Sequence, residues 1–160
     1  MNPWTCKRYK KIYKYDHRKG IFLHFKPGVD KKLRELFIDF AKWLRKNYDF
    51  PIRVNVYLYS CEKIKLLDGS WAYGAFRFFD TYEEPYIRIP AKPEQNRLQQ
   101  YELEDVYEQI LSSLVHELTH YFQWINQLQQ TDRGAEWQAN YYRYRILSLY
   151  ERSKQIEQHS

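Results

Sequence analysis

The segment SSLVHELTHYFQW, residues 112–124, sets His116 and His120 four positions apart, with Glu117 directly after the first. On a helix, positions i and i+4 lie one turn apart on the same face, so both imidazoles can address one ion. Glu117 falls about 100° round that helix, where it can take a proton from a metal-bound water without ligating the metal. The chemistry on offer is metal-assisted hydrolysis with a carboxylate as general base. Leu111, Leu114, Val115, Leu118, Tyr121 and Phe122 leave no other charge beside the motif. On so apolar a helix, two histidines and a glutamate with nothing to do would be costly to bury.

Two histidines do not complete a zinc site, which needs a third protein ligand and an open position. Six residues after His120, where a metzincin has its third histidine, stands Asn126, and no histidine follows until His159. What does follow is GAEWQANYYRYRI, with Glu136 16 residues after His120 and Asn140 one turn further on. The polar stretch NQLQQTDRG, 126–134, breaks the helix between them. An antiparallel return after that break would bring Glu136 level with His120, as third ligand. It would also bring Asn140 near His116, to accept a hydrogen bond from the other ring nitrogen and fix its tautomer.

HELTH followed by E-x-x-A-N on the next helix resembles the gluzincins, zinc peptidases with HExxH and a glutamate third ligand. The short spacing most resembles the minimal members, the minigluzincins, and EWQAN is also similar to the ImmA/IrrE-type regulatory peptidases. The resemblance covers roughly residues 50–150 and departs at Asn140, where the best-known gluzincins carry aspartate. It implies a zincin-like α+β fold, with a small, mainly antiparallel three-stranded sheet on a backing helix, an active-site helix and a glutamate helix. It implies a zinc-dependent endopeptidase with one Zn²⁺ per chain on His116, His120 and Glu136, Glu117 as general base, and a peptide or protein substrate. It also implies an edge strand that receives extended substrate by β-augmentation. By position that strand is 71–76, WAYGAF, with Tyr73, Gly74 and Ala75 against the peptide backbone. An oxyanion donor is expected on the third helix from Tyr141, Tyr142 or Tyr144, and sequence does not choose among them. Two other readings stay open. One is a zinc-containing binding or regulatory domain, with a protein or nucleic-acid partner and little or no cleavage. The other is a latent peptidase plugged by a terminal segment, for which His159, Cys6 and Cys61 are candidates.

Several elements must position these residues. Leu33, Leu36, Phe37, Phe40, Ala41 and Leu44 recur at helical steps and place a helix from about Val29 to Tyr48. IRVNVYLYS (52–60) alternates as a half-buried strand, while SWAYGAFRFF (70–79) and PYIRIP (85–90) read as a hairpin joined by a polar turn at 80–84. GIFLHFK (20–26) is a further short strand. The motif helix starts between Pro93 and Glu102 and runs to about Ile125, and the glutamate helix spans roughly 134–150. The domain expected is 29–152, preceded by a basic arm over 1–28 and followed by a polar tail over 153–160.

The net charge of +6 is concentrated in that arm, where eight Lys/Arg face one acid and Tyr9, Tyr13 and Tyr15 interleave with the lysines. Such a segment is a solvated charge run or a polyanion contact. Two cysteines form neither a CxxC pair nor a disulfide framework. No apolar run reaches the ~20 residues of a membrane span, and MNPWTCKRYKK has no secretory apolar stretch, so the expected compartment is the cytoplasm.

Overall fold

Along the strand Val54–Tyr59 (β2), Val54, Val56 and Leu58 are fully buried while Asn55, Tyr57 and Tyr59 are half-buried. That alternation gives the sheet one packed face and one open face. The computed structural model describes residues 1–13, 17–79 and 83–159; Lys14 and Tyr15 of the basic segment, and Asp80–Tyr82 of the expected turn, lie outside them. In chain order the other strands are β1 (Ile21–Phe25), β3 (Ile64–Lys65), β4 (Trp71–Ala72), β5 (Ala75–Arg77) and β6 (Tyr86–Pro90). The helices are α1 (Tyr9–Ile12), α2 (Lys31–Asn47), α3 (Gln95–Leu98), α4 (Leu103–Ile125) and α5 (Asp132–His159).

The fold is α+β with a mixed four-stranded sheet, ordered β1-β2-β6-β5. This corrects the expected three-stranded, mainly antiparallel sheet: β1 pairs β2 in parallel, β2 pairs β6 in parallel, and only β5–β6 is antiparallel. The reason is a crossover. Parallel strands cannot be joined by a tight turn, and α2 carries the chain from the end of β1 back to the start of β2. The expected strand 71–76 is likewise not continuous. Trp71 and Ala72 pair with β3, the chain turns at Tyr73–Gly74, and Ala75–Arg77 joins the main sheet as its edge.

The core fills the packed face: Leu33, Phe37, Phe40 and Leu44 of α2 and Leu114, Leu118 and Phe122 of α4 meet Val56, Leu58, Ile87 and Ile89. Within residues 1–28, expected as a basic arm with a short strand, the described parts pack on the rest of the chain. β1 is a strand of the main sheet, and Trp4 and Tyr9 are buried. Trp4 Nε1 donates to Thr119 Oγ1 at 3.0 Å, on the back of the motif helix. The buried side chain of Asn126 accepts from the Tyr9 N–H at 3.1 Å and donates to the Phe122 carbonyl at 2.9 Å. So the residue that rules out a histidine third ligand holds the N-terminal segment against the end of α4. The expected polar tail continues α5 to His159, because ERSKQIEQH has no Gly or Pro to stop a helix. No helix among the described residues is long and apolar enough to cross a membrane.

Several tyrosines bury their rings and anchor their hydroxyls. Tyr9 donates to Asp49 at 2.9 Å, Tyr107 to Asp30 at 2.7 Å, Tyr150 to Asp39 and Tyr121 to the Ile52 carbonyl. Burial, reinforced by these carboxylates, pushes the Tyr9 and Tyr107 hydroxyls up to about 12. They remain donors at any physiological pH.

Candidate metal centre

α4 is buried over most of its length, and His116, His120, Gln123, Ser112 and Ser113 face α5. The two helices run antiparallel, as their contacts descend in step. Gln123 meets Ala135 and Gln138, His120 meets Glu136, and Ser112 and Ser113 meet Arg143. The start of α5 is set by Thr131, whose Oγ1 accepts from the Gly134 N–H at 3.0 Å in the manner of an N-cap. That places Glu136 in the second turn, opposite the motif.

His120 Nε2 lies 2.7 Å from one Glu136 oxygen, and His116 Nε2 lies 3.4 Å from the other. The three possible donor atoms all fall within 4.8 Å of one another, and this is the group of metal-capable residues among those described. Zinc–ligand bonds of about 2.0–2.2 Å in tetrahedral geometry set ligand atoms roughly 3.3 Å apart. The His116–Glu136 distance already matches that separation. The His120–Glu136 contact is shorter, so a metal requires Glu136 to draw back about half an ångström. Its side chain, 57% exposed, is free to do so. Two neutral imidazoles and one carboxylate are a donor set that suits zinc.

The surroundings prepare these donors. His120 Nδ1 lies 2.8 Å from Gln123 Oε1, whose amide nitrogen in turn donates to the Ala135 carbonyl and to Gln138. With its amide oriented by those bonds, Gln123 can accept the Nδ1 proton, so that a metal inserted between His120 and Glu136 would find the Nε2 lone pair. Burial, helped by His120 and Arg143 and opposed by Glu136 and Asn140, pulls His116 down to about 4. It is therefore neutral at pH 7. Its Nδ1 is buried without a hydrogen-bond partner, while Asn140, on the surface of α5, is close enough to act on the ring.

Glu117 is buried, with Oε1 3.9 Å from His116 Nε2. Burial first, and the Glu136 charge second, push its carboxyl up to about 8 against the pull of Arg143. A cation bound next to it would reverse that preference. Gly74 lies directly over it: a Cβ there would sit 3.0 Å from Glu117 Cγ and 3.4 Å from its carboxyl carbon. Tyr73, Gly74, Ser113, His116, Glu117 and Arg143 line a cavity of about 130 Å³.

Of the positions singled out from sequence, His116, Glu117, His120, Glu136, Asn140, Tyr73 and Gly74 meet at this centre. Ala75 does not: it belongs to β5 and lies in a separate trough with Arg77 and Arg88. Tyr142 is buried, while Tyr141 and Tyr144 are exposed on α5, and the tyrosine lining the cavity is Tyr73. His159 ends α5, about 35 Å along the helix from Glu136. Neither cysteine joins the ligand group.

Two residues were not legible in the sequence as part of the site. Gln123 carries a signal in hindsight, standing one turn after His120 on the same face. Arg143 lies one turn beyond Asn140 and seven positions from Glu136, on the same side of α5. Its guanidinium is fixed by hydrogen bonds to Ser112 Oγ at 2.9 Å and Ser113 Oγ at 3.0 Å.

Comparison with known protein families, characterised proteins and solved structures returns no match. The chemistry of the site must therefore be argued from its own residues.

Proposed function

We propose that the chain is a zinc-dependent endopeptidase of zincin-like, gluzincin type, acting on peptides or proteins in the cytoplasm. The observation that carries this reading is the convergence of His116, His120 and Glu136 beside a buried carboxylate, Glu117, that is not one of the three. A purely structural zinc site would be closed by a fourth protein ligand. Among the described residues this one has three, with a cavity alongside.

Zinc, when bound, would polarise the scissile carbonyl and make a water acidic enough to attack it near neutral pH. The chain's own residues do the rest. Glu117 accepts the proton of the attacking water and hands it to the departing amine nitrogen. Gly74 leaves the space that this carboxylate occupies. Arg143, held by two serine hydroxyls, presents a fixed positive charge on the cavity wall, where a carbonyl oxygen gaining negative charge would be stabilised. Asn140, after a small rotation, accepts the Nδ1 proton of His116 and satisfies its unpaired nitrogen.

The test is metal content by elemental analysis, with cleavage of an unstructured protein such as casein measured beside it. The wild type should carry close to one zinc per chain, and Glu136→Ala should lose most of it together with the cleavage. Full zinc in Glu136→Ala would move the third ligand elsewhere. Bound zinc without any cleavage would favour a binding or regulatory domain.

A further inference from the structure

We propose that the open face of the sheet is a binding surface for single-stranded nucleic acid, independent of the metal centre. The register makes the case. Across the four strands, Phe22, Asn55, Tyr86 and Arg77 stand side by side, and the next row is His24, Tyr57, Arg88 and Ala75. Both rows fall on the face opposite the core, since the intervening residues Val54, Val56, Leu58, Ile87 and Ile89 are all buried. Arg53 and Tyr59 extend the pattern along β2, and Lys26 follows β1. Both helices that cover the sheet, α2 and α4, contribute to the core on the other side. Among the described residues no helix lies on this face: Phe22 and His24 are exposed, and Tyr57, Tyr59 and Tyr86 are half-buried, with Phe79 beside Tyr86 at 6.1 Å between centroids.

Rings and cations alternate at contact distance. His24 stacks on Tyr57 with centroids 4.7 Å apart and planes 19° from parallel. Lys26 Nζ lies 5.5 Å from the Tyr57 ring and 5.8 Å from the Tyr59 ring, and the Arg53 guanidinium lies 3.8 Å from the Phe22 ring. Arg53 Nε is buried there without a hydrogen-bond partner. At the β5–β6 side, the β3–β4 hairpin rises beside the sheet, tied down by Arg88 Nη1 donating to the Lys65 carbonyl at 3.4 Å. Between hairpin and sheet runs a trough of about 780 Å³ that includes Lys65, Arg77, Tyr86 and Arg88. Two acids, Glu84 and Asp68, stand near this face, and of these only Glu84 is paired with a cation. Glu84 holds Arg18 through two hydrogen bonds of 2.8 and 2.9 Å, and Asp68 accepts from Ser70 in its own turn.

An acidic peptide would satisfy the cations and leave the rings unused. A duplex would satisfy the cations and keep its bases stacked inside. A single strand uses both, with phosphates on Lys26, Lys65, Arg77 and Arg88 and unstacked bases on the aromatic faces. The sequence places the basic, tyrosine-rich signal in residues 1–28; of that segment, Phe22, His24 and Lys26 lie on this surface.

The experiment is fluorescence anisotropy of short labelled oligo(dT) and oligo(U) against the full chain, over a series of salt concentrations. The wild type should bind saturably, with affinity falling as salt rises. Replacing Tyr57 and Tyr86 together by alanine should weaken binding roughly fivefold or more for each ring, whereas the double phenylalanine variant should bind like wild type. Arg77→Gln with Arg88→Gln should flatten the slope of log affinity against log salt by about 1.4, as expected for two single-strand phosphate contacts. Circular dichroism and zinc content serve as fold controls; if the alanine pair unfolds, the phenylalanine and glutamine pairs decide. Absence of saturable binding at low salt would overturn the proposal, as would equal binding by a folded alanine pair. So would loss of binding on replacing Lys7, Arg8, Lys10 and Lys11 alone, which moves the contact to the N-terminal segment. Polyglutamate that competes as well as the oligonucleotide would make this an acidic-protein surface and overturn it too.

Discussion

Replacing Glu117 by glutamine in the metal-free protein should reveal how much the fold gives up to keep a carboxylate at that position. In the folded, metal-free chain the carboxyl is pushed up to about 8, from an ordinary 4.5, chiefly by burial. A group whose folded pKa is raised favours folding in its protonated form. Its effect on stability is therefore neutral below pH 4.5, becomes increasingly unfavourable from 4.5 to about 8, and levels off above that. Between pH 5 and pH 7 the wild type should lose about 2.5 kcal/mol relative to Glu117→Gln, at up to 1.36 kcal/mol per unit. Only about 7% of the residue is exposed, so solvent screening does little to reduce this figure. Glutamine adds a neutral amide to the same space, and any cost of burying that amide is the same at both pH values. His116, pulled down to about 4, weakens the acid side of both proteins alike and drops out of the comparison.

Thermal melts of EDTA-treated protein at pH 5, 7 and 9 provide the assay. For a chain of this size, about 2.5 kcal/mol corresponds to a relative gain in Tm of roughly 5–10 °C between pH 5 and 7. The gain should level off by pH 9. Restoring zinc should remove most of it, because a neighbouring cation favours the ionised carboxylate. A Tm difference between the two proteins that does not change with pH would refute the reasoning, for Glu117 would then be ionising in the fold at its ordinary value.

Gln123→Ala should weaken zinc affinity by about 10- to 100-fold, measured by competition with a chromophoric chelator, because His120 loses the acceptor that fixes its tautomer. Gly74→Ala should leave zinc content unchanged and lower kcat by at least about tenfold: its Cβ would lie 3.0 Å from Glu117 Cγ, and a small displacement of a catalytic group is costly. Trp4→Ala should destabilise the protein by about 3–5 kcal/mol in urea unfolding, as for a buried aromatic ring, whereas a solvated arm would show no effect.

What sequence made legible follows from which interactions are local. α2 and α4 declare themselves because their apolar residues recur at helical steps, and β2 because it alternates cleanly. β1 does not alternate cleanly: Leu23 and Phe25 are only half-buried, Phe22 and His24 are exposed, and the strand adjoins a run of charges. Its parallel partner is 33 positions away, through α2. No local pattern distinguishes such a pairing from an independent hairpin, so the sheet was expected one strand short and with the wrong sense. The split of WAYGAF at Tyr73–Gly74 is of the same kind. Its two halves pair with different strands, β3 and β6, and Gly74 between them lies against Glu117, 43 residues away.

The site divides along the same line. His116 and His120 share a face through helix geometry alone, and Glu136 follows once the intervening break is taken as a tight antiparallel return. Arg143 has its role only through the other helix, and Gln123, though one turn from His120, is oriented by α5. The division also has a physical consequence. The two histidines belong to a helix buried along most of its length, whereas Glu136 is the exposed partner on α5. The pair of imidazoles is thus held by the core, and adjustment to a metal falls to Glu136, whose short contact with His120 must lengthen. Arg143 is already fixed to α4 two turns from His120, so the helices need not move for Glu136 to do so. Metal binding here should therefore be a side-chain event, chiefly at Glu136 with Asn140 turning to His116, on a framework that the core and the N-terminal segment have already fixed.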